Sequence, residues 1–254
     1  MTRLGLTLPS FGNDPDVPIL VARAAETAGV DAVFVFDHVF RDGPAGRRPA
    51  LECFALLGAI AAETSTVHVG TLVARATLRP PATLAHCFDT VQRVSGGRLI
   101  AGIGAGDHHS RDENESFGLE FGTMQDRVDA LHDAVRASRR RGYPVWIGGH
   151  VAQVRELVPL ADGWNAWGGD VGKFARAAKL VREVAPAATL TWGGLVSFRG
   201  DVDRDDVTSG SPAQVGEQLR AYIEAGADWI IVGPLDASNP ENATILGEQV
   251  KQYL

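Results

Sequence analysis

Residues 96–110 read GGRLIAGIGAGDHHS. Glycines stand behind a short apolar run, and their spacing decides the fold. A dinucleotide-binding turn needs G-x-G-x-x-G between a strand and a helix. Counted from Gly102, the third glycine would fall on Asp107; counted from Gly104, it would fall on His109. Neither register holds. Gly102, Gly104 and Gly106 alternate strictly, which is the period of a strand. The residues beyond them, DHHSRDENESFG, do not open a helix under a phosphate. The segment reads as a strand that runs out into a polar loop.

The rest of the chain repeats that unit. Strand-like stretches at 3–8, 31–36, 67–74, 98–103, 145–147, 163–167, 189–196 and 228–232 alternate with helix-like ones at 17–28, 49–63, 81–94, 123–140, 151–160, 171–184, 212–225 and 242–253. Apolar positions 17, 20, 21, 24, 25 and 28 carry the helical period in the first helix, and Gly29 closes it. TMQD at 123–126 has the form of a capping box, and SPAQ at 211–214 adds a proline at the first helical position. Continuous β/α alternation implies a parallel sheet with helices outside. Eight such units in 254 residues fit a (β/α)8 TIM barrel, α/β in class, with reduced insertions. A doubly wound sheet would want a glycine-rich first turn, and LPSFGNDPD is not one. No linker or charge block divides the chain, so residues 1–254 are expected to form one domain.

Bulk properties narrow the partners. A net charge of −7 gives no general attraction to nucleic acid or anionic lipid. No apolar run approaches the ~20 residues of a membrane span, and the start MTRLGLTLPSFG is too short and too broken to be expected to serve as a signal peptide. The two cysteines, Cys53 and Cys87, read as buried thiols of a reducing compartment. The expected location is the cytoplasm.

Barrel ligands bind at the C-terminal strand ends. Strand two ends in Asp37-His38. A histidine there serves as a proton relay near neutral pH or as a structural side chain pinned to a carbonyl. Strand four ends in Gly106-Asp107, where a carboxyl works either as an acid, if desolvated, or as a turn cap. His108 and His109, with Asp112, Glu113 and Glu115, resemble metal-ligand material, but adjacent histidines do not easily reach one ion and no H-x-H or H-x-x-x-H occurs. A mobile polar loop is the preferred reading, and no metal is expected. PVWIGGHVAQV at 144–154 passes through two glycines directly into a helix, so the free amides of the first turn suit a phosphate, or the glycines serve a tight βα turn for steric reasons only. Arg75, Trp167 and Trp192 shape a substrate pocket or pack the wall. The missing side chains of strand four are expected to leave room for a flat ring at the mouth.

Several stretches together resemble the luciferase-like monooxygenase superfamily, with its flavin-dependent monooxygenases and F420-dependent oxidoreductases. They are AAETAGVDAVFVFDHVF (24–40), VHVGTLVARATLRPPATLAHCFDTVQRVSGGRLIAGIGAGD (67–107), ENESFGLEFGTMQDRVDAL (113–131), PVWIGGHVAQVRELVPLADGWNAW (144–167) and GSPAQVGEQLRAYIEAGADWIIVGP (210–234). The resemblance implies a deazaflavin or flavin across the barrel mouth and a non-proline cis peptide at Leu72-Val73 beneath its ring. It implies phosphate contacts at Gly148, Gly149, His150 and Val151 and the strand-two histidine of F420 members at His38. A Glu of sugar-phosphate-oxidising members falls on Asp107, one methylene shorter. The short 197–210 segment implies a reduced substrate cover, and the lack of a matching lysine pair disfavours a sugar phosphate.

The expected function is hydride transfer between F420 and a small organic substrate, with His38 and Asp107 as the acid-base groups. The alternatives are an FMN-dependent monooxygenase fed by a partner reductase and a non-catalytic flavin-binding barrel. A phosphate-binding aldolase or isomerase would want a strand-end lysine that is missing here. A homodimer is the expected assembly.

Overall fold

The computed structural model describes every residue except Met1, Pro44, Ala45, His108, His109 and Asp201. Among the described residues eight parallel strands form a closed barrel: β1 (Arg3–Thr7), β2 (Ala32–Val35), β3 (His68–Thr71), β4 (Leu99–Gly104), β5 (Val145–Gly148), β6 (Gly163–Trp167), β7 (Thr189–Ser197) and β8 (Trp229–Pro234). Each pairs with the next in sequence, and β8 closes the ring on β1 through Arg3↔Trp229 to Leu6↔Val232. Residues on a strand alternate between the two faces. Leu4, Leu6, Val33, Val35, Leu99, Ala101, Ile103, Val145, Ile147, Leu190, Ile230 and Val232 face the helices in the main core. Ala32, Phe34, Ile100, Trp146, Trp229 and Ile231 fill the barrel itself, joined by Leu72. The large rings fit because glycines face them. A Cβ on Gly5 or Gly70 would stand 2.9 Å from the Phe34 ring, and one on Gly163 would stand 2.7 Å from Trp146.

Outside lie α1 (Asp16–Thr27), α2 (Cys53–Glu63), α3 (Pro81–Val94), α4 (Arg111–Ser116), α5 (Met124–Ser138), α6 (Val151–Val154), α7 (Val171–Val184), α8 (Pro212–Glu224) and α9 (Glu241–Thr244). The capping box expected at Thr123 is present with Asp126, and the cap expected at Ser211 closes a second box with Gln214. Cys53 is buried, Cys87 is partly so, and both are free thiols; burial pushes both thiols up. Among the described residues no helix is long and apolar enough to cross a membrane.

Several stretches differ from expectation. Phe40–Gly43 and Gly46–Pro49 form an antiparallel pair at the end of β2, so α2 starts at Cys53 rather than at 49. The expected polar loop after β4 contains α4, with Glu113 and Asn114 buried. The helix expected over 151–160 is one turn, α6, followed by a 3-10 turn at Val158–Leu160. Pro159 explains the break, since its ring clashes with a carbonyl four residues back and it has no N–H to donate. The last helix leaves the α form after Thr244 for a π segment, Ile245–Val250. The short 197–210 segment carries a strand, Val207–Ser209, that pairs with the end of β7.

Strand four also departs from expectation in what its glycines do. A Cβ on Gly102 would lie 2.1 Å from the Thr71 carbonyl oxygen, and one on Gly104 would lie 2.4 Å from Val73 Cγ2. The space is already taken by the neighbouring backbone and by Val73. It is not left open for a ring.

Candidate functional site

The C-terminal ends of β2, β3 and β4 come together at the mouth. Beyond β3 the chain passes through a cis peptide at Leu72-Val73, as the resemblance implied. It then pairs Ala74 and Arg75 with Ile103 and Gly104. This brings Arg75 underneath the segment after β2. Its amide donates to Asp37 Oδ2 at 2.9 Å and its Nε donates to the Asp37 carbonyl at 2.8 Å. Nη1 donates to Asn114 Oδ1 and Nη2 to Glu113 Oε2, both at 3.2 Å. Arg75 is 3 % exposed. The expected pocket residue is instead a tie between strand ends, because its donors are consumed below the surface.

Asp37, at the end of strand two, is engaged in the same way. Its carboxylate accepts from Arg79 Nη1 at 2.7 Å and from Nη2 at 3.1 Å, besides the Arg75 amide. A buried carboxylate needs such partners to remain charged. These occupy both of its oxygens, so it faces arginines rather than an open mouth.

His38 lies one residue further on and is partly exposed, at 29 % for its side chain. Its Nδ1 is 2.7 Å from Glu113 Oε1. The other oxygen of Glu113 accepts from the Val39 amide at 2.6 Å and from Arg75 Nη2. Burial opposes the charge on Glu113. Hydrogen bonds from His38 and Val39, with the nearby Arg75 guanidinium, outweigh it and hold the carboxyl below its usual range. Phe11 and Phe36 flank the imidazole, with ring centroids at 5.5 and 6.4 Å. Nε2 of His38 has no partner among the described residues.

Asp107 is exposed. Its Oδ1 accepts from the amide and the hydroxyl of Ser110, both at 3.1 Å, which closes the turn into α4. Of the two readings of Asp107, the turn cap is the one this geometry matches. Gly106, with φ at +74°, sits beside the Arg75 side chain and lets the chain turn there. His108 and His109 lie outside the described residues. Of the carboxylates grouped with them, Asp112 and Glu115 point to solvent, and Glu113 turns in to His38.

The two tryptophans separate by strand parity. Asn165 on β6 and Thr191 on β7 share a buried hydrogen bond of 2.7 Å. Gly193, two positions on from Thr191, lies under the Trp167 ring, which a Cβ there would approach to 2.6 Å. Trp167, two positions on from Asn165, therefore lies over the mouth, 44 % exposed, with Phe36 against its edge at 6.0 Å. Trp192 falls on the opposite parity. It stacks on Tyr222 of α8 at 3.9 Å, and its Nε1 donates to the Gly168 carbonyl. Trp192 is wall packing and not part of the pocket.

At the end of β5, Gly149 takes a φ of +138° and its carbonyl accepts from Trp164 Nε1 at 2.9 Å. The amides of His150, Val151 and Ala152 have no acceptor among the described residues. Gly149 and His150 are exposed. Those donors suit a phosphate, although α6 is too short to add much of a dipole. Gly148 serves a different purpose: a Cβ on it would meet Val73 Cγ1 at 2.6 Å.

Glu113, Asn114, Arg79, Phe11 and Phe36 were not singled out for these roles by the sequence. Glu113 sits in a run of charged residues with no period to mark which of them is buried.

Residues 11–195 match the model of the luciferase-like monooxygenase family. The F420-dependent glucose-6-phosphate dehydrogenase of Amycolatopsis mediterranei (strain U-32) is 33% identical over 142 residues, which cover 56% of this chain and 40% of that protein. The fold is similar to that of the coenzyme F420-dependent tetrahydromethanopterin reductase from Methanopyrus kandleri, with a TM-score of 0.80 at 15% identity over 99% of both chains. It is also similar to EDTA monooxygenase from Chelativorans sp. BNC1, with a TM-score of 0.80 at 14% identity over 98% of this chain and 92% of the other.

Proposed function

The chain belongs to the luciferase-like monooxygenase family, and from that premise we propose that it is an F420-dependent oxidoreductase acting on a small organic substrate. The observation that carries this is His38, held at Nδ1 by a buried carboxylate while its partly exposed ring leaves Nε2 without a partner among the described residues. The residues present fit a cofactor with a flat ring and a phosphate. The exposed face of Trp167 and the partly exposed Val73 offer apolar surface for the ring. The unpartnered amides at 150–152 offer donors for the phosphate. Bound F420 supplies hydride transfer at C5 of its deazaflavin, chemistry that belongs to the cofactor.

The chain's own residues orient and move protons. His38 takes or gives a proton at Nε2. Glu113 accepts from Nδ1–H and keeps the imidazole in place. Asp107, engaged with Ser110, shapes the entrance to α4. The preference for F420 over FMN rests on the Asp37-His38 strand end and on sequence relatives named for F420-dependent activity, such as the Amycolatopsis enzyme. Assembly as a homodimer belongs to the same proposal.

The test is a cofactor screen by fluorescence and thermal shift with F420, FMN and FAD. Saturation at ~100 times the dissociation constant raises stability by about 2.7 kcal/mol. Binding of F420, with turnover that falls in His38→Ala, is the expected result. Tight FMN binding with oxygen consumption by reduced FMN, and no F420 affinity, replaces this reading with the monooxygenase. Binding with no turnover, unchanged in His38→Ala, makes the chain a flavin-binding barrel.

A further inference from the structure

We infer that Glu113 is the positioning residue for His38: it fixes the tautomer with the proton on Nδ1, so that Nε2 meets the substrate as a lone pair. The role of His38 itself rests on the proposed function. The tautomer does not.

The argument starts from what each atom is able to do. A carboxylate accepts hydrogen bonds and has none to donate. Glu113 is held in that form by three donors, from His38, Val39 and Arg75. Its burial opposes the charge, and the donors outweigh it. With Nδ1 at 2.7 Å from Oε1, the proton on that line belongs to the imidazole. In the neutral ring the second nitrogen then carries no proton. Among the described residues no other charged group is hydrogen-bonded to the ring. Asp37 is taken by Arg79 and the Arg75 amide, and the Arg41 guanidinium lies over the Phe11 ring. Phe11 and Phe36, which flank the ring, offer no hydrogen bond.

Glu113 is itself fixed from below. Arg75 holds it through Nη2 while binding Asn114 Oδ1 through Nη1 and the Asp37 carbonyl through Nε. The carboxylate is therefore set by a rigid fork. Orienters of this kind set which nitrogen of a histidine carries the proton, and loss of the correct tautomer is costly for a catalytic imidazole.

The experiment uses the full chain labelled with 15N at its seven histidines. Long-range proton–nitrogen spectra at alkaline pH report which ring nitrogen is protonated, and His38→Ala assigns the signal. A wild-type His38 with the proton on Nδ1 supports the inference. A proton on Nε2, or an even mixture, overturns it without touching the proposed function.

The second readout is turnover, once the cofactor screen has found an active pair. Glu113→Gln keeps the side-chain shape and removes the charge. The expected result is a fall in kcat with KM little changed, no larger than the ~10²–10⁴-fold that a whole acid-base group supplies. In a His38→Ala background the same substitution should cost nothing further, because Glu113 acts through the imidazole. Equal losses in both backgrounds would mean that Glu113 only supports the fold, and full activity in Glu113→Gln would overturn the inference as well. If no cofactor turns over, the proposed function has failed and the tautomer spectrum still decides this point.

Discussion

Gly104→Ala should destabilise the chain by about 1–3 kcal/mol, the usual cost of overpacking a well-filled site. The new methyl would lie 2.4 Å from Val73 Cγ2, whereas carbon atoms pack at about 3.5–4.0 Å. More than an ångström has to be found. A valine is stiff at χ1, and both of its arms are engaged here. Cγ2 meets the Gly104 position, and Cγ1 meets the Gly148 position at 2.6 Å. A rotation about χ1 moves both arms at once. For a chain of this size, each kcal/mol moves Tm by roughly 2–4 °C, so thermal unfolding and urea titration both read the effect. Two controls frame it. Gly58→Ala, inside α2 with nothing within 4 Å of the new methyl, should stabilise by roughly 0.5–1 kcal/mol. Val73→Ala/Gly104→Ala should recover much of the loss that the glycine substitution causes in the presence of Val73. A Gly104→Ala variant within ~0.5 kcal/mol of the parent, the range of a neutral surface change, would refute the claim that Val73 fills the glycine notch.

Trp192→Ala should cost about 3–5 kcal/mol in a denaturant titration, as for other buried rings, and Trp167→Ala should cost much less but weaken cofactor or substrate binding; the reverse pattern would mean that the two rings are assigned to the wrong faces. Glu26 joins α1 to the turn before β3. Its burial opposes ionisation, but donors from Thr66, Val67 and Ser65 outweigh that and lower its carboxyl from 4.5 to about 2. Its contribution is therefore complete above pH 4.5 and is lost as the pH falls toward about 2. Glu26→Gln should cost on the order of 1–2 kcal/mol near neutrality, after screening of a partly exposed group, and the difference from the parent should vanish at the acid end. A difference independent of pH in urea titrations would rule out the charge as its origin.

The barrel is legible in the sequence because β/α alternation is a pattern of apolar periods, and those periods depend on which residues must be buried. The helix starts at Thr123 and Ser211 are legible because a capping box is written in four consecutive residues. Trp192 is left open between pocket and wall only for want of a parity argument that the sequence contains. Thr191 and Gly193 are its neighbours, and if their side faces the barrel, Trp192 must face the helices. Glu113 is not legible in the same sense. Its burial depends on Arg75, 38 positions away, and nothing in a polar run without a period selects it over Asp112 or Glu115. The antiparallel pair after β2 escapes for a related reason, since its strands are short and charged and alternate no apolar face.

The glycines of strand four and the histidine at the mouth belong to one construction. Without side chains at 104 and 148, Val73 settles between β4 and β5. The residues after it can then pair with β4, Ala74 with Ile103 and Arg75 with Gly104. That pairing places the Arg75 amide on Asp37 and its guanidinium beneath α4. Glu113 is held there as a carboxylate and reaches His38 from that position. A methyl at Gly104 therefore displaces more than a valine. It strains the segment that carries Arg75, and the Glu113–His38 contact should loosen with it. The tautomer spectrum of His38 in Gly104→Ala should drift toward the mixture expected when Glu113 is neutralised. If the spectrum keeps the parent tautomer while stability falls, the steric notch and the charged fork are independent, and the glycines serve packing alone.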